Sequence, residues 1–227
     1  MGAMDNTSGN SGDAKQNMSR SAIRRQRERE NRYQSILKSA ETLFAKEGYN
    51  GASMEKIADM SEMSVGAVYF YFKNKEDLLV QLIDEISYLL RRILGKAFKE
   101  HGSTMEGFKR AGYAFFEEFC MKHPEKAAIL LRESVGNSPA VEARRKEIFD
   151  TITADLTDAL VKAAESRKNH FKSPFSVEII IVSILGIYER VAYQYMFWQD
   201  MSKDLKPIGR DAVDFILGGI ENLFTES

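Results

Sequence analysis

Apolar residues recur along this chain at three- and four-residue intervals, the spacing that gathers them on one face of an α-helix. The first such stripe is Tyr33, Ile36, Leu37, Ala40, Leu43 and Phe44. It predicts a helix over about 31–47, ended by Gly48 as a left-handed cap. Ser53 is placed to cap a short second helix that buries Met54, Ile57, Ala58 and Ser61, with Glu55 favourable in its first turn. The turn Glu62-Met63-Ser64 leads to a third helix over about 64–72. Asn74, with Asp77 three residues on, caps a fourth that runs from Lys75 toward Glu100. Further helical segments follow at about 104–122, 124–134, 138–168, 175–199 and 208–225, separated by Gly, Pro, Ser and Asn. The pattern predicts an all-α fold of about nine helices with no sheet.

The third segment carries an oddity, the run Tyr69-Phe70-Tyr71-Phe72. At about 100° per residue, Val65, Val68 and Phe72 share the buried edge and the two tyrosines flank it. Phe70 points nearly opposite the core, beside Gly66 and Ala67. A solvated helix face ordinarily carries Lys, Glu or Gln. Two very small residues and one aromatic suit close approach to another surface, although a single exposed Phe is also common on any protein. A short helix, a tight turn and a second helix form the helix-turn-helix arrangement, in which the second helix enters the major groove of DNA.

Charge is distributed unevenly enough to bear on that reading. The chain has 227 residues and a net charge of −1. Residues 1–13 carry −2, residues 14–75 carry +5 and residues 76–227 carry −4. A basic N-terminal region ahead of a larger acidic one points to a polyanion partner for the first part only. Within it, the segment 20–32 holds six Arg and two Glu, among them Arg24 and Arg25. It reads either as the solvated start of a helix or as a basic arm that binds phosphates or enters a minor groove. Residues 1–19, rich in Ser, Asn and Gly, read as a disordered tail. The one cysteine, Cys120, fits a reducing cytoplasm and reads as a core residue. The longest apolar run is about half a membrane span, so no membrane partner is expected.

With these pieces in place, residues 36–79 resemble the DNA-binding domain of tetracycline-repressor-type (TetR-family) regulators. The matching positions are Ala40, Leu43-Phe44, Gly48-Tyr49, Ser53-Met54, Ile57-Ala58, Ser64-Val65-Gly66, Val68-Tyr69, Phe72 and Lys75-Glu76-Asp77-Leu78. The resemblance implies a helix-turn-helix domain over 20–79 with its basic arm, and a helical effector-binding and dimerisation domain over 80–227. It implies that Ser53 touches a phosphate, that Ser64, Gly66 and Ala67 lie against the groove, and that Tyr69 and Phe70 sit at base edges or the sugar-phosphate chain. Lys75 would hold a phosphate at the positive start of the fourth helix. Two positions depart from the family's common pattern: Tyr71 stands where His is frequent, and Ser61 where Ala is usual. The reading face lacks Arg, Asn and Gln, so specificity would lean on thymine methyl groups, the arm and DNA shape.

Beyond residue 80 the aromatic stripes admit two readings. Met105, Phe108, Gly112, Phe115, Phe116 and Phe119 share one helix face, as core or as the wall of a ligand pocket. The pocket candidates are Phe108, Phe116, Tyr188, Tyr195 and Trp198, which would suit an apolar or aromatic effector. The segment 175–199 is apolar on two sides and needs two partners. One of its faces, with Ile179, Val182, Gly186, Tyr193 and Phe197, joins Ala212, Phe215, Ile216 and Gly219 of the last helix as the candidate homodimer interface. The three His residues show no metal-ligand spacing, and no phosphate loop or nucleophile elbow is present, so neither catalytic residues nor cofactors are assigned. The sequence reads as a cytoplasmic, ligand-responsive regulator, a repressor of operator DNA. The alternative is a constitutive DNA-binding or architectural protein whose aromatics are all core.

Overall fold

A computed structural model describes residues 20–201 and 204–225; the predicted tail at 1–19 lies outside the described residues. Among the described residues nine helices follow one another: α1 Arg20–Gly51, α2 Met54–Met60, α3 Val65–Tyr71, α4 Lys75–His101, α5 Met105–Ala114, α6 Pro124–Ala128, α7 Pro139–Ser166, α8 Ser176–Tyr193 and α9 Leu205–Glu221. Three of them run on into π-helical turns: α5 into Phe115–Cys120, α6 into Ile129–Glu133 and α8 into Gln194–Trp198. The expectation of no sheet is corrected at one place. Strands β1 His170–Phe171 and β2 Phe224–Thr225 pair antiparallel and tie the α7–α8 connection to the end of α9.

The helix starts follow from their capping residues. Ser53, Ser64 and Asn74 accept backbone N–H bonds from Lys56, Ala67 and Asp77, at 3.3, 3.2 and 2.8 Å. The Asp77 carboxylate reaches back to the N–H of Lys73 at 3.0 Å, so the fourth helix is fastened from both sides of its cap. Helix α1 departs most from expectation: it begins at Arg20, eleven residues earlier than the apolar stripe suggests. Gly48, with φ of 77°, breaks it as the sequence implies, and one short turn then leads to α2.

Helices α1 to α3 and the start of α4 enclose the first part of the core: Ile36, Phe44, Ile57, Val68, Phe72 and Leu78 are all fully buried. Tyr33 stacks on Phe72 with ring centroids 5.0 Å apart. Val65, expected on that buried edge, is only half-buried. The core continues without a break through Leu82, Ile83 and Ile86 of α4 into the larger domain, where Phe116 and Phe119 are fully enclosed. Helix α4 therefore belongs to both parts.

Candidate DNA-binding face and effector cavity

The α2–α3 pair forms around a turn in which Glu62 takes a left-handed conformation at φ 55°. The N–H of Met63 closes it onto the Ala58 carbonyl at 2.9 Å. On the outer face of α3, Gly66 and Tyr69 are exposed, Ala67 is half-exposed and Phe70 is 72% exposed. Nothing stands within 4 Å of where a side chain on Gly66 would begin. Phe70 packs edge-on against Tyr71, and the Arg29 guanidinium lies 5.9 Å from its ring centre. Ser53 and Ser64 spend a lone pair each on capping but keep their hydroxyls near the surface.

The Arg-rich segment is a helix from its first described residue. An α-helix with its side chains is roughly 10–12 Å across and a minor groove about 6 Å wide, so this segment cannot enter one as a strand would. Arg24 and Arg25 are exposed along it, and Arg24 sits 3.6 Å from Glu28.

Lys75 is placed differently from the expected free phosphate ligand. Its ammonium donates to the carbonyls of Tyr49 at 2.7 Å and Ala52 at 3.0 Å, and lies 4.3 Å from the centre of the Tyr49 ring. Partial burial lowers its pKa. Two of its three donors bind carbonyls in the last turn of α1 and just beyond it, so Lys75 fixes the start of α4 against the end of α1.

In the larger domain, α4, α5, α7, α8 and the π turn Ile129–Glu133 surround an apolar slot. It is narrow, with a cavity volume of about 60 Å³. Phe108 and Tyr188 line it, as expected. Phe116, Tyr195 and Trp198 do not. Phe116 is buried beneath α9, where a Cβ on Gly209 would come within 2.4 Å of its ring. Tyr195 packs partly buried against the core. Trp198 lines a separate surface groove with Arg190 and Tyr193. Phe115 takes the wall position, with Leu90, Leu94, Leu131 and Ile152. At about 100° per residue Phe115 falls between Ala111 and Phe108 on the slot side, whereas Phe116 falls about 80° from Phe108, at the edge of the stripe that α9 covers.

Sequence reasoning missed the one carboxylate in the slot, Glu189. Burial raises its pKa and the field of Arg145 partly offsets this. Among the described residues no hydrogen bond or ion pair holds it. Its only signal in the sequence was its place directly after Tyr188. Burial also raises the pKa values of Tyr188 and of the enclosed Cys120 thiol.

Residues from the π turn and its neighbour α6 also grip the DNA-binding domain. Glu133 accepts the N–H of Tyr49 at 2.8 Å, and Arg132 donates to the Ala45 carbonyl at 3.3 Å. Glu41, 3% exposed on α1, is held by Lys38 at 2.6 Å and by Lys126 of α6. Burial alone would raise its pKa, but hydrogen bonds from the two lysines outweigh that and keep it below the usual carboxylate range.

On the opposite side, α8 and α9 present an apolar face. Ile179, Val182, Gly186, Phe215 and Gly219 are exposed there, together with Phe175. Ala212 and Ile216, expected on this face, are buried in the chain's own core, where their helix turns them inward. Tyr193 and Phe197 are half-buried in an aromatic cluster: Tyr193 packs edge-on against Phe197 and Trp198, at 5.3 and 5.5 Å. Among the described residues no helix is long and apolar enough to cross a membrane, and no group of three or more His, Cys, Asp or Glu is placed to hold a metal ion.

Residues 36–82 match the family model described as bacterial regulatory proteins, tetR family. The HTH-type transcriptional repressor NicS of Pseudomonas putida is 23% identical over 161 residues, 71% of this chain and 74% of its own. The fatty acid metabolism regulator protein of Bacillus subtilis is 22% identical over 193 residues, 84% of this chain and 96% of its own. Among solved structures, the transcriptional regulator FadR from Bacillus subtilis, in complex with stearoyl-CoA, superposes with a TM-score of 0.72 at 21% identity, covering 82% of this chain and 98% of that one. The fatty acid degradation regulator FadR from Bacillus halodurans gives 0.71 at 21% identity, covering 83% and 95%.

Proposed function

Because the chain belongs to the tetR family of bacterial regulatory proteins, we propose that it is a dimeric repressor that holds operator DNA through α2 and α3 and releases it when a small apolar effector enters the slot. The observation that carries this reading is α4. Its first turns pack in the DNA-binding domain, and its residues Leu90 and Leu94 wall the slot. A helix shared in this way gives a ligand a lever on the recognition helix. The narrowness of the slot supplies the differential affinity that any such release needs. A bound molecule must spread the surrounding helices, so it favours whichever arrangement has the wider slot. The names of the fatty-acid regulators suggest a chain-like effector, and a narrow apolar slot suits one. The stearoyl-CoA complex of the Bacillus subtilis regulator also favours this reading over the constitutive alternative.

In this reading Gly66, Ala67, Tyr69 and Phe70 meet the groove, Ser53 and Ser64 lie at the phosphates, and Arg24 and Arg25 follow the backbone electrostatically. Selection of bound genomic fragments supplies the operator for the test. Phe70→Ala should weaken binding about tenfold while leaving the melting temperature nearly unchanged, since the ring is mostly exposed. Lys75→Met should behave differently and cost stability as well, about 1–2 kcal/mol, because two carbonyls lose their donor. An unchanged affinity for Phe70→Ala would remove α3 from the DNA-binding face.

The α8–α9 face is assigned to a second copy of the chain, because two recognition helices must reach successive major grooves about 34–36 Å apart. Phe215→Glu places a charge in that face. It should sediment as a monomer at micromolar concentration, with operator affinity reduced about 10²–10⁴-fold by loss of bivalent attachment. A variant that stays dimeric would move the interface elsewhere.

A further inference from the structure

At its α8 end the slot adjoins a surface groove. Leu131 and Glu189 line both, and the groove is the roomier of the two. Arg132, Arg190 and Trp198 are among the other walls of that groove. The Arg190 guanidinium lies 4.2 Å from the Trp198 ring centre and donates to the Gln194 side-chain oxygen at 3.1 Å. Among the described residues it has no carboxylate partner. Arg132 lies 4.8 Å from the Phe197 ring centre, bonds to Glu133 at 2.5 Å and reaches the Ala45 carbonyl.

The slot lining also meets the surface between α4 and α7, at Leu94, Ile152 and Leu156. The charges there are paired off: Arg91 with Asp155 at 2.8 Å, and Asp158 with Lys162 at 2.5 Å. Of these two edges of the slot, only the α8 one offers a cation without a carboxylate partner among the described residues. Stacking on aromatic rings holds both of its guanidinium planes in place, the arrangement that suits recognition of a carboxylate or phosphate.

We propose that slot and groove form one site for a single-chain anionic amphiphile, with the chain in the slot and the negatively charged head on Arg190 and Arg132. The inference rests on the effector reading of the slot. Two carboxylates oppose the head group: Glu133, bonded to Arg132, and Glu189 at the threshold, whose burial favours the neutral carboxyl while Arg145 favours the ionised one. Arg132 gives the head group a second role. The same guanidinium holds the Ala45 carbonyl of α1, so an anion in the groove competes with the DNA-binding domain for it.

The test measures binding to the full-length protein by calorimetry, below micelle-forming concentrations. The probes are hexadecanoate, hexadecanoyl-coenzyme A, hexadecanol, hexadecylamine and coenzyme A alone. At least one of the two anionic chains should bind about tenfold or more tightly than hexadecanol, and which of them leads distinguishes a carboxylate from a phosphate-bearing head. R190Q and R132Q should each erase most of that advantage and leave hexadecanol affinity within about twofold. Arg190 is exposed on its helix, so R190Q keeps the test decisive if R132Q unfolds. If chains bind but charge makes no difference, or if hexadecylamine binds best, the groove assignment is overturned and the slot reading stands. An unchanged preference for anions in R190Q also overturns it. If no chain binds at all, the slot reading falls and this one with it.

Discussion

Phe116→Ala should lower the free energy of unfolding by about 3–5 kcal/mol, the range for a large aromatic removed from a closed core. The ring is fully buried, packs edge-on against Phe115 and Tyr188, and occupies the surface left bare by Gly209. Helix α9 cannot settle into the vacancy without carrying Val213 and Ile216 with it, so relaxation should be small. Urea denaturation measures the effect. The neighbouring Phe115→Ala should cost less, because its ring borders space that is already empty, and should change effector affinity more. Equal losses of stability from the two would mean that slot wall and closed core are not divided between them.

Glu41→Ala should cost about 3 kcal/mol, the lower end of the range for breaking a buried pair, because Lys126 is left facing the core with a path to solvent. The double variant Glu41→Leu with Lys126→Met should recover most of that loss. The pH dependence has a definite sign. The folded carboxyl lies below its usual value of 4.5, so its stabilising contribution is fully present above that value and is lost as pH falls through the folded pKa. The difference in stability between the natural protein and Glu41→Gln should therefore shrink on acidification below about pH 4. A constant difference down to pH 2 would show that the lysines do not hold the ionised form.

The helices were legible because caps and apolar spacing are local properties. Ser53 and Asn74 announce two of the helix starts in the DNA-binding domain, and Gly48 announces the break; Ser64, read as a turn residue, proves to cap α3. The exposed position of Phe70 follows from the same arithmetic. That arithmetic does not say which edge of a wide stripe meets a cavity. Phe115 faces the slot, while Phe116, at the far edge of the same stripe, is covered by α9. The remaining misses are long-range. Glu41 and Lys126 are 85 residues apart, and nothing in either neighbourhood marks the other as its partner. Lys75 reads as a surface cation from its place at a helix start, but Tyr49 and Ala52, some 23 to 26 residues earlier, claim its donors. Ala212 and Ile216 fall on a broad apolar arc whose inward and outward edges periodicity cannot tell apart.

Gly209 gives that arc its orientation. A ring seated on a bare α-carbon fixes the azimuth of a helix, because turning α9 in either direction would drive Ile208 or Arg210 into Phe116. Six residues later, about 240° around the axis, Phe215 consequently points away from the core. The inner seat and the outer ridge are thus one rotational degree of freedom, and a disturbance at Phe116 would be felt as a change in the direction the ridge faces.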